Sequence, residues 1–120
     1  MRDYRKLQAF QLSNQLALAV YAATRDFPKD ELFGLTSQMR RAAVSIGSNI
    51  AEGAARSTEK DYLRFLDIAL GSSLELEYQI TLSAQLGFLN SDTQEQNLRE
   101  LSTRTSKALH GLIQSYRAKH

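Results

Sequence analysis

The chain has 120 residues, 42% of them apolar and 23% charged, with a formal net charge of +2 and no cysteine. That length suffices for one globular domain with a real core, spanning residues 1–120. The missing cysteines exclude disulfides, thiolate metal sites and thiol nucleophiles and fit a reducing, cytoplasmic setting. No apolar run approaches the ~20 residues of a bilayer span, and "MRDYRKLQAF" has no apolar leader segment, so no membrane partner is expected.

One proline, Pro28, and six glycines leave few places to turn, so the elements must be long. Four helices and no strands are predicted. The first runs from about Asp3 to Asp26 and stops at "DFPKDELFG", where the residue before proline leaves the helical region. The second runs from Leu35 or Thr36 to Arg56. Ser57 or Thr58 caps the third; Thr58 with Asp61 three residues on resembles a capping box, with Asp in place of the usual Glu. The third continues to about Leu86 and ends at Gly87, a natural residue for the position past a helix end. "NSD" supplies the next N-cap, and the fourth helix covers about Asp92 to Arg117. Short loops between long helices imply antiparallel neighbours. The expected fold is therefore all-α, an up-down-up-down antiparallel four-helix bundle.

The apolar patterns differ between helices. The fourth has one stripe, Leu98, Leu101, Thr105, Ala108, Leu112 and Tyr116, flanked by Leu109 and Ile113, which serves one core. The first has two. Leu7, Phe10, Ala17, Leu18 and Tyr21 fall on one side; Leu12, Leu16, Ala19, Val20, Ala23 and Phe27 fall nearly opposite. The third is also broad, with Tyr62, Phe65, Ala69, Leu76 and Ile80 extended by Leu63, Leu66, Leu70 and Leu74. A bundle helix needs only part of its circumference for its own core. Two helices with more than that predict a second buried surface, filled by another copy of the chain.

The stretch from Arg40 to Gly53, "RRAAVSIGSNIAEG", places polar and helix-weakening residues in a predicted helix. Ala43, Gly47 and Ala51 stand four apart, a spacing that lets another helix approach closely, and Ala69, Gly71, Ser72 and Ser73 offer matching small positions on the third helix. Asn49 flanks the Ile46/Ile50 side and should be at least partly buried, where an amide must find partners. Glu52 can pair with Arg56 or with an arginine of a neighbour. Such groups fix register and partner geometry. The expected packing and register core is Arg41, Ala43, Ser45, Gly47, Asn49, Glu52, Gly53, Gly71, Ser72 and Glu75.

Catalytic chemistry finds little support. The histidines, His110 and His120, lack the Glu-x-x-His context of di-metal bundles. Ser72, Ser73 and Glu75 have no base at fixed spacing, and "GAARST" lacks the ending of a phosphate-binding loop. No enzyme activity, cofactor, metal site or small-molecule substrate is expected.

The charge is uneven. Arg2, Arg5 and Lys6 against Asp3 leave +2 at one terminus, and Arg104, Lys107, Arg117 and Lys119 give +4 at the other, so the remainder sums to −4. In an up-down-up-down bundle these segments share one end, a candidate basic rim for phosphate backbones. Tyr4 and Tyr116 nearby could stack on bases.

"QMRRAAVSIGSNIAEGAARST" followed by "LRFLDIALGSSLELEYQI" resembles the family of four-helix-bundle proteins encoded in intervening sequences of bacterial 23S ribosomal RNA genes. The resemblance covers nearly the whole chain. Its most specific pieces are Gln38, Arg41, Ala42, Ser45, Asn49, Ile50, Ala51, Glu52, Gly53 and Arg56, and then Ala69, Gly71, Ser72 and Glu75. The family often has proline where Gly47 stands, a departure that touches local helix geometry. The resemblance implies a ring of five subunits and no established enzymatic activity. A related fold serves as an accessory protein that partners a reverse transcriptase and nucleic acid. Two roles are thus expected: a homo-oligomeric interaction or scaffold protein, and alternatively a nucleic-acid-binding accessory protein using Arg2, Arg5, Lys6, Arg104, Lys107, Arg117 and Lys119.

Overall fold

Asp3 decides how the chain begins. Its carboxylate accepts a hydrogen bond from the Arg5 backbone N–H at 3.2 Å and so caps the first turn. The result is a short 3-10 turn, Tyr4–Lys6, then an extended Leu7. The first helix therefore starts later than its sequence suggests. The computed structural model describes residues 2–119, so His120 lies outside the described residues. It contains α1 (Gln8–Thr24), a 3-10 turn (Lys29–Glu31), α2 (Leu35–Ala54), α3 (Glu59–Gln85) and α4 (Asp92–Lys119). No strand occurs among the described residues.

The helix ends follow from side chains beside them. Glu31 Oε1 accepts from Leu35 N at 3.0 Å and so caps α2 from outside it. A Cβ at Gly34 would stand 2.8 Å from that oxygen, so a side chain there would push the Glu31 cap aside. Thr58 Oγ1 accepts from Asp61 N at 3.1 Å at the start of α3. At its end Phe88 N donates to Ser83 O and Gly87 N to Ala84 O. This is the Schellman pattern, and Gly87 takes the left-handed φ of 77° that it requires. Before α4, Ser91 Oγ accepts from Gln94 N while Gln94 Oε1 accepts from Asn90 N.

Each helix packs on two others: α1 on α2 and α4, and α3 on α2 and α4. The particle measures 45 × 24 × 20 Å. One core runs along it, built on Leu16 and Val20 of α1, Met39, Ile46 and Ile50 of α2, Leu66, Leu76 and Ile80 of α3, and Leu98, Leu109 and Ile113 of α4. The α1 stripe containing Leu12, Leu16, Val20 and Ala23 is the one inside. Buried hydroxyls tie neighbouring helices at chosen levels: Ser73 and Ser106 lie 2.7 Å apart between α3 and α4. Arg40 Nε donates to Thr24 Oγ1 at 2.8 Å between α2 and α1.

Candidate self-association surface

The small residues of α2 serve two different neighbours. Gly47 faces α1, where a Cβ would meet Ser13 Oγ at 3.4 Å and the Phe10 ring at 3.5 Å. Its expected match with the small positions of the third helix is thereby corrected. Gly53 is the close contact with α3: a Cβ there would stand 2.7 Å from the Phe65 Cβ. Ala43 is fully buried in the core. Between these levels Ser45 and Ser72 bond across α2 and α3 at 2.9 Å. Asn49, half-buried, donates to the Ser45 carbonyl at 2.8 Å and to Ser45 Oγ at 3.0 Å. The amide thus finds its partners within its own helix and steadies the hydroxyl that reaches α3.

Four of the expected register residues do not pack inside the chain. Gly71 is exposed, and a Cβ there would meet nothing within 4 Å. Glu52 is exposed and lies 4.0 Å from Arg56 one turn on. Arg41 and Glu75 are exposed too. Both line a polar cleft between α2 and α3 with Gln38, Ser45, Ser72 and Gln79.

Large apolar side chains remain uncovered in two places. Beside α1 and α2, Leu18, Tyr21 and Val44 are exposed, and Phe33, from the segment before α2, is 93% exposed. Tyr21, Leu32, Phe33 and Val44 line one groove there, with Arg41 at its border. On α3, Ile68, Leu74 and Tyr78 are exposed, and Gly71 lies among them on the same helix face. The sequence reading found Leu18, Tyr21 and Leu74 but missed Phe33, Val44, Ile68 and Tyr78. The α3 residues were legible: Ile68, Gly71 and Tyr78 share a helical face, whereas Phe33 sits in an irregular segment with no periodicity to reveal it.

The expected basic rim divides. Arg2 and Lys119 do meet at one end, on the Tyr62 and Tyr116 rings. The Arg2 guanidinium lies 4.2 Å from the Tyr62 ring centre and donates to the Arg56 carbonyl at 2.9 Å. Tyr62 and Tyr116 are edge to face at 5.1 Å, and the Lys119 ammonium stands 6.0 Å from Tyr116. Burial, and then the neighbouring Tyr116, push the Tyr62 phenol above its ordinary value, while Arg2 pulls it partly back. Several cations are committed: Arg5 to Asp3 at 3.2 Å, Arg104 to Glu100 at 3.9 Å and Arg117 to Asp67 at 2.8 Å. Lys107 lies beside Leu7 and Gln8, about three turns of α4 short of Lys119, and Arg104 is about four turns short. Lys6, the last residue of the 3-10 turn, is exposed. Tyr4 packs edge to face on Phe10 at 4.8 Å, so it supports α1.

Among the described residues, no group of three or more His, Asp or Glu side chains is placed to hold a metal ion, and His110 is exposed. No described helix is long and apolar enough to cross a membrane.

A model of the family described as 23S rRNA-intervening sequence protein matches residues 5–111. The fold is similar to the crystal structure of a protein of unknown function of the S23 ribosomal protein family from Bacteroides thetaiotaomicron. The two are 25% identical with a TM-score of 0.77, over 88% of this chain and 97% of the other. No curated protein matches the chain.

Proposed function

The chain belongs to the family of 23S rRNA-intervening sequence proteins, and from that premise we propose that it is a non-enzymatic, self-assembling scaffold. Its protomer is an up-down-up-down bundle, and its assembly is the ring of five that the family resemblance implies. The alternating direction is supported at both ends. Asn90 Nδ2 reaches Asp26 at 2.7 Å, bringing the start of α4 to the end of α1. Arg2 reaches the α2–α3 turn at the opposite end.

One observation carries the assembly: among the described residues nine large apolar side chains are exposed, most of them gathered on two separate faces. Exposed apolar surface of this kind marks a contact with another molecule. Two different faces on one protomer suit a head-to-tail contact, the kind that closes into rings. Light scattering at micromolar concentration is expected to give a multiple of the 13.5 kDa chain. Leu18→Glu on one face and Tyr78→Glu on the other should each lower that mass. A monomeric wild type would reject the scaffold.

A second reading, a nucleic-acid-binding accessory role, draws support from Arg2 and Lys119 at the Tyr62–Tyr116 pair. Titration of labelled RNA and DNA at several salt concentrations tests it. Affinity falling steeply with salt, and lost on reversal of these charges, would support it; absence of binding at low salt would dismiss it.

A further inference from the structure

The cleft between α2 and α3, about 370 Å³, is lined by polar side chains except for Ala42. The floor is Gln79, 5% exposed, whose Oε1 has no hydrogen-bond partner. Its walls carry opposite charges, Arg41 on α2 and Glu75 on α3, and neither forms an ion pair within 4.0 Å among the described residues. Arg5, Arg56, Arg99, Arg104 and Arg117 hold carboxylates. Arg2, Arg40 and Arg64 lie over aromatic rings. Of the described arginines only Arg41 and Arg25 do neither, and Arg25 stands just past the end of α1 and does not line the cleft.

Each of the two charges also belongs to one of the two apolar faces. Arg41 borders the groove lined by Tyr21, Phe33 and Val44. Glu75 stands on the α3 face with Ile68, Gly71 and Tyr78, since residues three, four and seven apart share a side of a helix. Apolar contact is non-directional and tolerates sliding by a turn. Complementary charges set beside it fix one register and exclude others.

We infer that Glu75 of one copy pairs with Arg41 of the next, and that this pair sets the register of the head-to-tail contact. The inference rests on the self-assembly proposed above. The α3 face of one protomer seats on the α1–α2 groove of its neighbour, with Gly71 leaving room for the neighbour's side chains. The two charges, unpaired within the chain, meet at the border of the apolar contact.

The test is a charge-swap series, Arg41→Glu, Glu75→Arg and the double variant, read by light scattering and by concentration-dependent dissociation. Helical circular dichroism serves as the folding control. Each single reversal should weaken assembly by roughly tenfold or more with the helix signal unchanged, and the double variant should restore it. If a reversal lowers the helix signal, Arg41→Gln and Glu75→Gln, which keep side-chain length, provide the same readout. An assembled wild type whose single variants remain fully assembled overturns the pairing and leaves the scaffold standing. Single variants that dissociate without rescue in the double also overturn it, because the two charges then meet other partners. A monomeric wild type overturns the scaffold and the pairing together.

Discussion

Gly53 and Phe65 approach so closely that a Cβ on the glycine would stand 2.7 Å from the phenylalanine Cβ. Tyr62 Cδ1 lies 3.3 Å from the same point. The obstructing Phe65 atom is the root of a side chain, so it cannot swing away without moving α3. Gly53→Ala should therefore destabilise the fold by about 1–3 kcal/mol through overpacking, outweighing the ~1 kcal/mol that alanine gains in helix propensity. Urea unfolding monitored by circular dichroism measures it, and a midpoint equal to or above wild type would show that α2 and α3 are farther apart.

Gly71 should respond in the opposite sense. It is an exposed glycine in the middle of a helix, with open space where a Cβ would go. Gly71→Ala is expected to raise monomer stability by up to ~1 kcal/mol. Gly71→Trp should leave the melting curve of the dissociated chain unchanged while lowering the assembled mass, if the α3 face is a subunit contact. Gly47 lies between these cases. At 3.4 Å from Ser13 Oγ and 3.5 Å from Phe10, it should accept alanine within about 0.5 kcal/mol. Gly47→Leu should be destabilising by displacing Phe10.

The Ser73–Ser106 pair permits a double-mutant cycle. The two hydroxyls are buried and 2.7 Å apart, and neither has another hydrogen-bond partner among the described residues. Replacing one by alanine leaves the other unsatisfied, at a cost of about 1–3 kcal/mol, whereas replacing both should cost distinctly less than the sum. Strict additivity in thermal melts would deny the bond.

Tyr62 makes stability sensitive to alkali. Its folded pKa is raised by burial and by Tyr116, so the folded state holds the proton more tightly than the unfolded chain does. The contribution is fully present below the ordinary tyrosine value of about 10. It is lost as pH rises from there through the folded value, because over that window the native state binds more protons. Unfolding free energies across this range should fall more steeply for wild type than for Tyr62→Phe. Parallel slopes would place the alkaline sensitivity on other groups.

What the sequence determined by itself was mostly local or periodic. Thr58, Gly87 and Ser91 act within a few residues of their own positions, so the ends they set could be read directly. The single stripe of α4 and the double stripe of α1 were legible because helical periodicity alone assigns a side chain to a face. The residues from Gln38 to Arg56 and from Ala69 to Glu75 were enough to indicate the family. The start of α1 escaped this reading because Leu7 adopts an extended backbone that separates the capped 3-10 turn from the helix, and no local signal in the sequence marks that break. Only the tertiary structure separated three glycines that look alike in the sequence. Gly53 is pressed on Phe65, Gly47 faces Phe10 and Ser13, and Gly71 faces open space. The same packing left Arg41 and Glu75 unpaired while giving Arg117 the carboxylate of Asp67, fifty residues away. Which neighbour a helix face meets depends on how all four helices pack together around one core, and a pattern within a single helix carries its direction but not its partner.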